Sequence, residues 1–182
     1  MSTKVVTGKV RLSYVNIFKA RSFNGGAEKY SCCILIPKSD KATVKKINDA
    51  IEEATKQGIS EKWNGKKPAN LKMPLRDGTE REDEAEEYKD MYFLNANSNN
   101  KPGVVDKDLN EILDPAEVYS GCYGRVSINF FPFNSNGNKG IAVGLNNVQK
   151  LKDGEHLGAA AASAEDDFGG DNDFEDDEDD DF

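Results

Sequence analysis

No lysine or arginine follows Lys152, and residues 165–182 carry twelve acidic side chains and no basic one. Such a segment repels itself and has almost nothing apolar to bury, so it cannot fold alone. Phe168, Phe174 and Phe182 are its apolar exceptions, each set among acids. An alanine-rich run, residues 158–164, precedes it. A helix that short is marginal by itself in water, and the run reads as a linker. The predicted organisation is one domain over residues 1–157, then a disordered linker and acidic tail over residues 158–182.

The net charge of −9 hides this division. Without the tail, 21 acidic residues face 24 basic ones. A second acidic cluster occupies residues 77–90, where eight acids accompany Arg81 and Lys89. Outside both clusters the balance is 13 acidic to 22 basic. A basic body tethered to a polyanion is a pattern of nucleic-acid proteins.

Export and membrane insertion are not expected. The first residues, MSTKVV, lack the apolar stretch of an export signal. No run approaches the roughly 20 apolar residues of a membrane span. Cys32, Cys33 and Cys122 are odd in number, and two are adjacent in an apolar run. They read as reduced core thiols of a cytoplasmic protein.

Catalysis finds little to build on, and neither an enzyme nor a cofactor is expected. His156 is the single histidine and lies at the end of the body, so a Ser or Cys triad lacks its base. Gly65-Lys66 resembles the end of a Walker loop. However, Ser60 stands for its first glycine and Lys67 for its hydroxyl residue. Asp171-Asn172-Asp173 is not followed by the glycine and glutamate of a calcium loop. No Cys-x-x-Cys pair suggests zinc.

The body reads as mainly β. Residues 4–18 form one long predicted strand, with Val10, Leu12 and Tyr14 on an apolar face and Gly8 at a bend. Asn24-Gly25-Gly26 supplies a turn, and residues 28–36 a second strand ending at Pro37. Ser39 or Asp40 caps a helix carrying Val44, Ile47, Ile51 and Ala54 at helical spacing, with Gly58 as its stop. Residues 59–90 read as an excursion, 88–96 as a strand, and 101–103 as a turn. In residues 117–133, Val126, Ile128 and Phe130 share one face. Arg125, Ser127, Asn129, Phe131 and Phe133 share the other. A hairpin over residues 134–140 leads to a returning strand, 141–151. The expected fold is an OB-fold-like five-stranded Greek-key barrel with one main helix, an inserted excursion and a disordered acidic tail.

Non-specific binders of single strands combine cations for phosphates with aromatic platforms for bases. Arg11, Phe18, Lys19, Arg21 and Phe23 interleave the two types along one strand and its loop. Arg125, Phe131 and Phe133 do so again. Trp63, Lys66, Lys67 and Lys139 complete the candidate DNA-binding set, while Tyr14 and Tyr30 read as core. The tail is expected to compete with DNA for the groove. Asp179, Asp180, Asp181 and Phe182 are its candidate partner-binding residues, an aromatic anchor steered by acids.

Five segments carry a family resemblance: GKVRLSYVNIF (8–18), LIPKSD (35–40), GCYGRV (121–126), NGNKGIAVGLNNV (136–148) and DGEHLG (153–158). On these the chain resembles the bacteriophage single-stranded DNA-binding proteins, an OB-fold family with an acidic tail. The resemblance implies a protein that coats single strands in phage replication or recombination, in the cytoplasm of an infected bacterium. It implies a tail that recruits phage or host polymerase, helicase or primase. A homo-oligomer stays open. The alternative reading is an acidic chaperone or DNA mimic that binds a basic partner.

Overall fold

The computed structural model describes residues 3–22, 27–80, 88–135 and 137–157. Phe23, the turn at 24–26, residues 81–87 of the second acidic cluster, Asn136, and the linker and tail lie outside the described residues.

Strands β1 (Lys4–Val6), β2 (Val10–Ser22) and β3 (Glu28–Pro37) open the chain. Helix α1 (Lys41–Glu61) follows, then β4 (Arg76–Asp77), β5 (Met91–Ser98) and β6 (Gly103–Val105). The hairpin β7 (Tyr123–Ser135) and β8 (Asn138–Lys152) ends the sheet. β2 pairs with β3, β3 with β5, β5 with β8, β8 with β7, and β7 with β2 again. Five strands therefore close a barrel, with β5 and β8 parallel and the other pairs antiparallel. This is the expected OB architecture. No helix among the described residues is long and apolar enough to cross a membrane.

The first predicted strand is broken. Thr7 to Lys9 interrupt it, and the Gly8 amide donates to Thr43 Oγ1 at 2.9 Å. That contact docks the start of α1 on the bend. Asp40 caps the helix and accepts from the Thr43 amide, satisfying a donor that the first turn leaves unpaired. Ile47, Ala50, Ile51 and Ala54 face the core inside the barrel. There they join Leu12, Ile17, Cys32, Ile34, Ile36, Leu94, Val126, Ile128 and Phe130. Cys32, Cys33 and Cys122 are buried free thiols, and burial pushes the Cys32 and Cys122 thiols up from their ordinary range.

Gly58 does not stop the helix. It lies inside α1 and is fully packed, because the Trp63 ring folds back onto it. A Cβ there would sit 2.6 Å from two Trp63 ring carbons and 2.8 Å from Pro132 Cβ. Trp63 Nε1 donates to Phe133 O at 3.1 Å, so the indole ties the end of α1 to the end of β7.

The barrel is weakest where β5 meets β8, a single pair, Asn97 and Gly144. The excursion repairs this seam. The Lys72 amide donates to Lys139 O, and the Ile141 amide donates to Lys72 O. Arg76 and Asp77 then pair with Phe93 and Tyr92 on β5. Lys38 Nζ lies 2.8 Å from Asp77, and this bond, with two from Thr79, holds the Asp77 carboxyl at about 2 against an ordinary 3.8. Beyond it, Tyr88 and Phe93 meet edge to face over Cys33, Leu35 and Leu157, forming a small second core on the outer face of β3 and β5.

Replacing Gly58 by valine forces the indole off its seat. Overpacking of this kind costs about 1–3 kcal/mol. Urea unfolding is expected to show a lower midpoint for Gly58→Val; an unchanged midpoint would mean that Trp63 is not held there.

Candidate nucleic-acid interface

In an OB barrel, the outer face of the second and third strands and the loops at its rim are the usual oligonucleotide surface. Here those strands are β3 and β5. The lower part of that face is filled by the second core. The upper part is open, and its shape follows from an irregularity in β2.

Ser13 pairs with Cys33, yet Asn16 pairs with Ser31: two residues of β2 stand where one of β3 should. Leu12 and Ile17 have opposite parity, yet both are buried. A bulge reconciles them and reverses the inward and outward alternation. Tyr14, expected in the core, is turned out by it. Its φ is +46°, a left-handed value that costs a tyrosine about 1–2 kcal/mol, and its side chain is 46% exposed.

From Tyr14 a row of small polar side chains crosses the barrel. Asn16 pairs with Ser31, Ser31 with Asn97, Asn97 with Gly144, and Gly144 with Asn129. Asn16 Nδ2 donates to Tyr14 O and lies 3.4 Å from Ser31 Oγ. Asn95, opposite Cys33, widens the floor. At the far side stands Phe131, 41% exposed. A Cβ on Gly144 would lie 3.6 Å from the Phe131 ring. The glycine thus leaves the floor open beside an exposed ring face. Four steps between strands span roughly 19 Å. The hollow at the Tyr14 end has a volume of about 350 Å³.

The floor is lined by the amides and hydroxyl of Asn16, Ser31, Asn95 and Asn97. Cations stand at its ends. Arg21 lines the hollow near Tyr14 and pairs across the ladder with Lys29. On the β8 side Lys72 lies beside Gly140 and a half-buried Phe133, while Lys139, half-buried, shares the strand parity of the buried Ile141 and Val143 and so leaves β8 on the face opposite the trough.

The other predicted residues separate into groups. Phe18 and Lys19 stand on the β2 arm, with Phe18 half-buried beneath Lys101 Nζ, 5.8 Å from its ring centre. Trp63 is 2% exposed and offers no ring face, so its place is in the core. Lys66 and Lys67 are exposed just after it. Arg11 does not face the trough: it donates to Gly121 O and Glu155 O and lies over the Tyr123 ring. It clasps residues 153–157 to the body, helped by Tyr119, whose ring stacks on His156. Arg125 donates to Thr7 O at 2.9 Å and stands six residues, or roughly 20 Å, along β7 from Phe131. Phe23 and Asp179 to Phe182 lie outside the described residues.

The fold and sequence have relatives. The single-stranded DNA-binding protein from bacteriophage Enc34 in complex with ssDNA superposes with a TM-score of 0.76 at 28% identity, over 86% of this chain and 90% of that one. The gp2.5 single-stranded DNA-binding protein of bacteriophage T7 shares the fold, with a TM-score of 0.63 at 15% identity over 98% and 96% of the two chains. A protein of Acyrthosiphon pisum secondary endosymbiont phage 1, putative protein p50, is 30% identical over 90% of this chain and 91% of its own. The family model described as Enterobacter phage Enc34, ssDNA-binding protein, matches residues 3–182. The chain belongs to the Enterobacter phage Enc34 ssDNA-binding protein family.

Proposed function

We propose that this protein binds single-stranded DNA without strong sequence preference, across the trough between Tyr14 and Phe131. The observation that carries this reading is the pair of exposed rings at the two ends of an open amide floor. Ring faces stack on any base. Asparagine amides both donate and accept, so Asn16, Asn95 and Asn97 can meet the edges of any base. Arg21, Lys29 and Lys72 would take phosphates at the ends. Family membership and the ssDNA complex of the Enc34 protein support the same ligand.

Coating of phage DNA during replication and recombination follows from such binding, and no chemistry is required of the protein. The acidic segment acts as a tethered competitor. Leu157, the last described residue, is seated in the second core, on the same face as the trough. A span of 25 residues reaches roughly 80 Å when extended, ample to cover it. When DNA occupies the trough, residues 179–182 become free to recruit a polymerase, helicase or primase.

Two experiments test this. Tyr14→Ala and Phe131→Ala, both at exposed positions, are expected to weaken oligo-dT binding by roughly tenfold each, from about 1–3 kcal/mol per stacked base, with unchanged melting. Binding equal to wild type in both variants would dismiss the trough. Deleting residues 165–182 is expected to tighten binding in a low-salt titration and to abolish polymerase, helicase or primase capture. An unchanged affinity would remove the competition.

A further inference from the structure

We propose that a hollow on the other side of the β2 arm is a second nucleotide site on the same strand path, holding a base between Phe18, Pro115 and Val118 and its phosphate on Lys19 and Arg21. It rests on the trough reading and extends it around the arm.

The hollow exists because β2 is too long for its partner. Between Asn16, which pairs with Ser31, and Arg21, which pairs with Lys29, four residues of β2 face Tyr30 alone. The surplus bows the arm away from β3. The opposite wall is the 3-10 turn Pro115–Glu117. Its entry is fixed by Asp114, whose carboxylate accepts from the Ala116 amide at 2.9 Å. Ser120 Oγ accepts from the Val15 amide and ties this wall to the arm. Both walls are thus set before any ligand arrives, which lowers the ordering needed on binding.

The lining fits a nucleotide. Half-buried Phe18 and exposed Pro115 present apolar surface with the buried Val118 behind them, while exposed Lys19 and Arg21 bring two positive charges. The volume is about 310 Å³, close to that of the hollow beside Tyr14. Asn16 and Arg21 line both hollows, and Arg21 Nη1 lies 3.5 Å from Asn16 Oδ1. A strand leaving the trough past Tyr14 therefore meets the same guanidinium on either side of the arm. This continuity favours the next nucleotide of the bound strand over a separate ligand.

Photocrosslinking tests the site. Full-length protein is irradiated with oligo-dT carrying one 5-iododeoxyuridine at successive positions, and the adducts are mapped by mass spectrometry. The proposal expects one set of positions to join Tyr14 or Phe131 and a neighbouring set to join Phe18 or residues 115–118. Adducts confined to Tyr14 and Phe131 would overturn the second site and leave the trough standing. Adducts at neither place would dismiss both readings. Lys19→Glu gives an independent readout: loss of the 115–118 adduct and about tenfold weaker binding, the size of one stacked base with its phosphate. Wild-type affinity with the adduct retained would overturn the proposal.

Discussion

The reversal of side-chain phase within β2 governs the outer surface of this barrel. Leu12 and Ile17 both reach the core although they are five residues apart. A regular strand would place them on opposite faces. The bulge after Ser13 absorbs the difference, and the tyrosine it displaces becomes the most exposed ring of the open face. The same strand runs out of register again beyond Asn16, where the arm bows away from β3. Both hollows on this side of the molecule are consequences of that surplus length.

The second acidic region has a structural role at its two ends. The excursion that leads into it closes the seam that β5 and β8 leave almost unpaired, through Lys72 on one strand and Arg76 and Asp77 on the other. Its return brings Tyr88 down onto Cys33 and Phe93. That packing occupies the lower part of the β3–β5 face and leaves the amide row above it uncovered. Of the body's cations, Arg21 and Lys29 stand on one side of the open region and Lys72 on the other. In the proposed binding mode this division would leave the middle to stacking and amide contacts, where a row of lysines would repel itself.

Much of the fold was legible in the sequence. The alternation of Val126, Ile128 and Phe130 against Phe131 and Phe133 gives β7 its two faces, and the helical spacing of Ile47, Ile51 and Ala54 gives α1 its buried stripe. Gly58 misled as a helix stop because glycine also serves where a distant ring must touch the backbone. Trp63 misled as a base platform for the related reason that its partner, Phe133 O, lies 70 residues away. The phase change in β2 was written in the chain, since Val10, Leu12 and Tyr14 alternate on one parity and Val15 and Ile17 on the other. Read as one strand, the first set puts Tyr14 inside. Arg11 is an example of what no local pattern conveys. Its chemistry suits a phosphate, but Gly121 O and Glu155 O are within reach and take its donors. The floor of the trough was illegible for a different reason: Asn16, Ser31, Asn97 and Gly144 come from four separate strands, and only closure of the barrel aligns them.

If single strands bind as proposed, their path crosses the barrel unobstructed between the two exposed rings. Gly144 is its most direct probe, because a methyl group there makes only an ordinary contact with Phe131. Oligo-dT affinity should be measured for Gly144→Ala and Gly144→Leu alongside their melting curves. Alanine should be tolerated, while leucine, filling the floor, should lower affinity by more than tenfold, the loss of at least one stacked base, with the barrel melting as before. A leucine variant that binds as tightly as the wild type would contradict such a path.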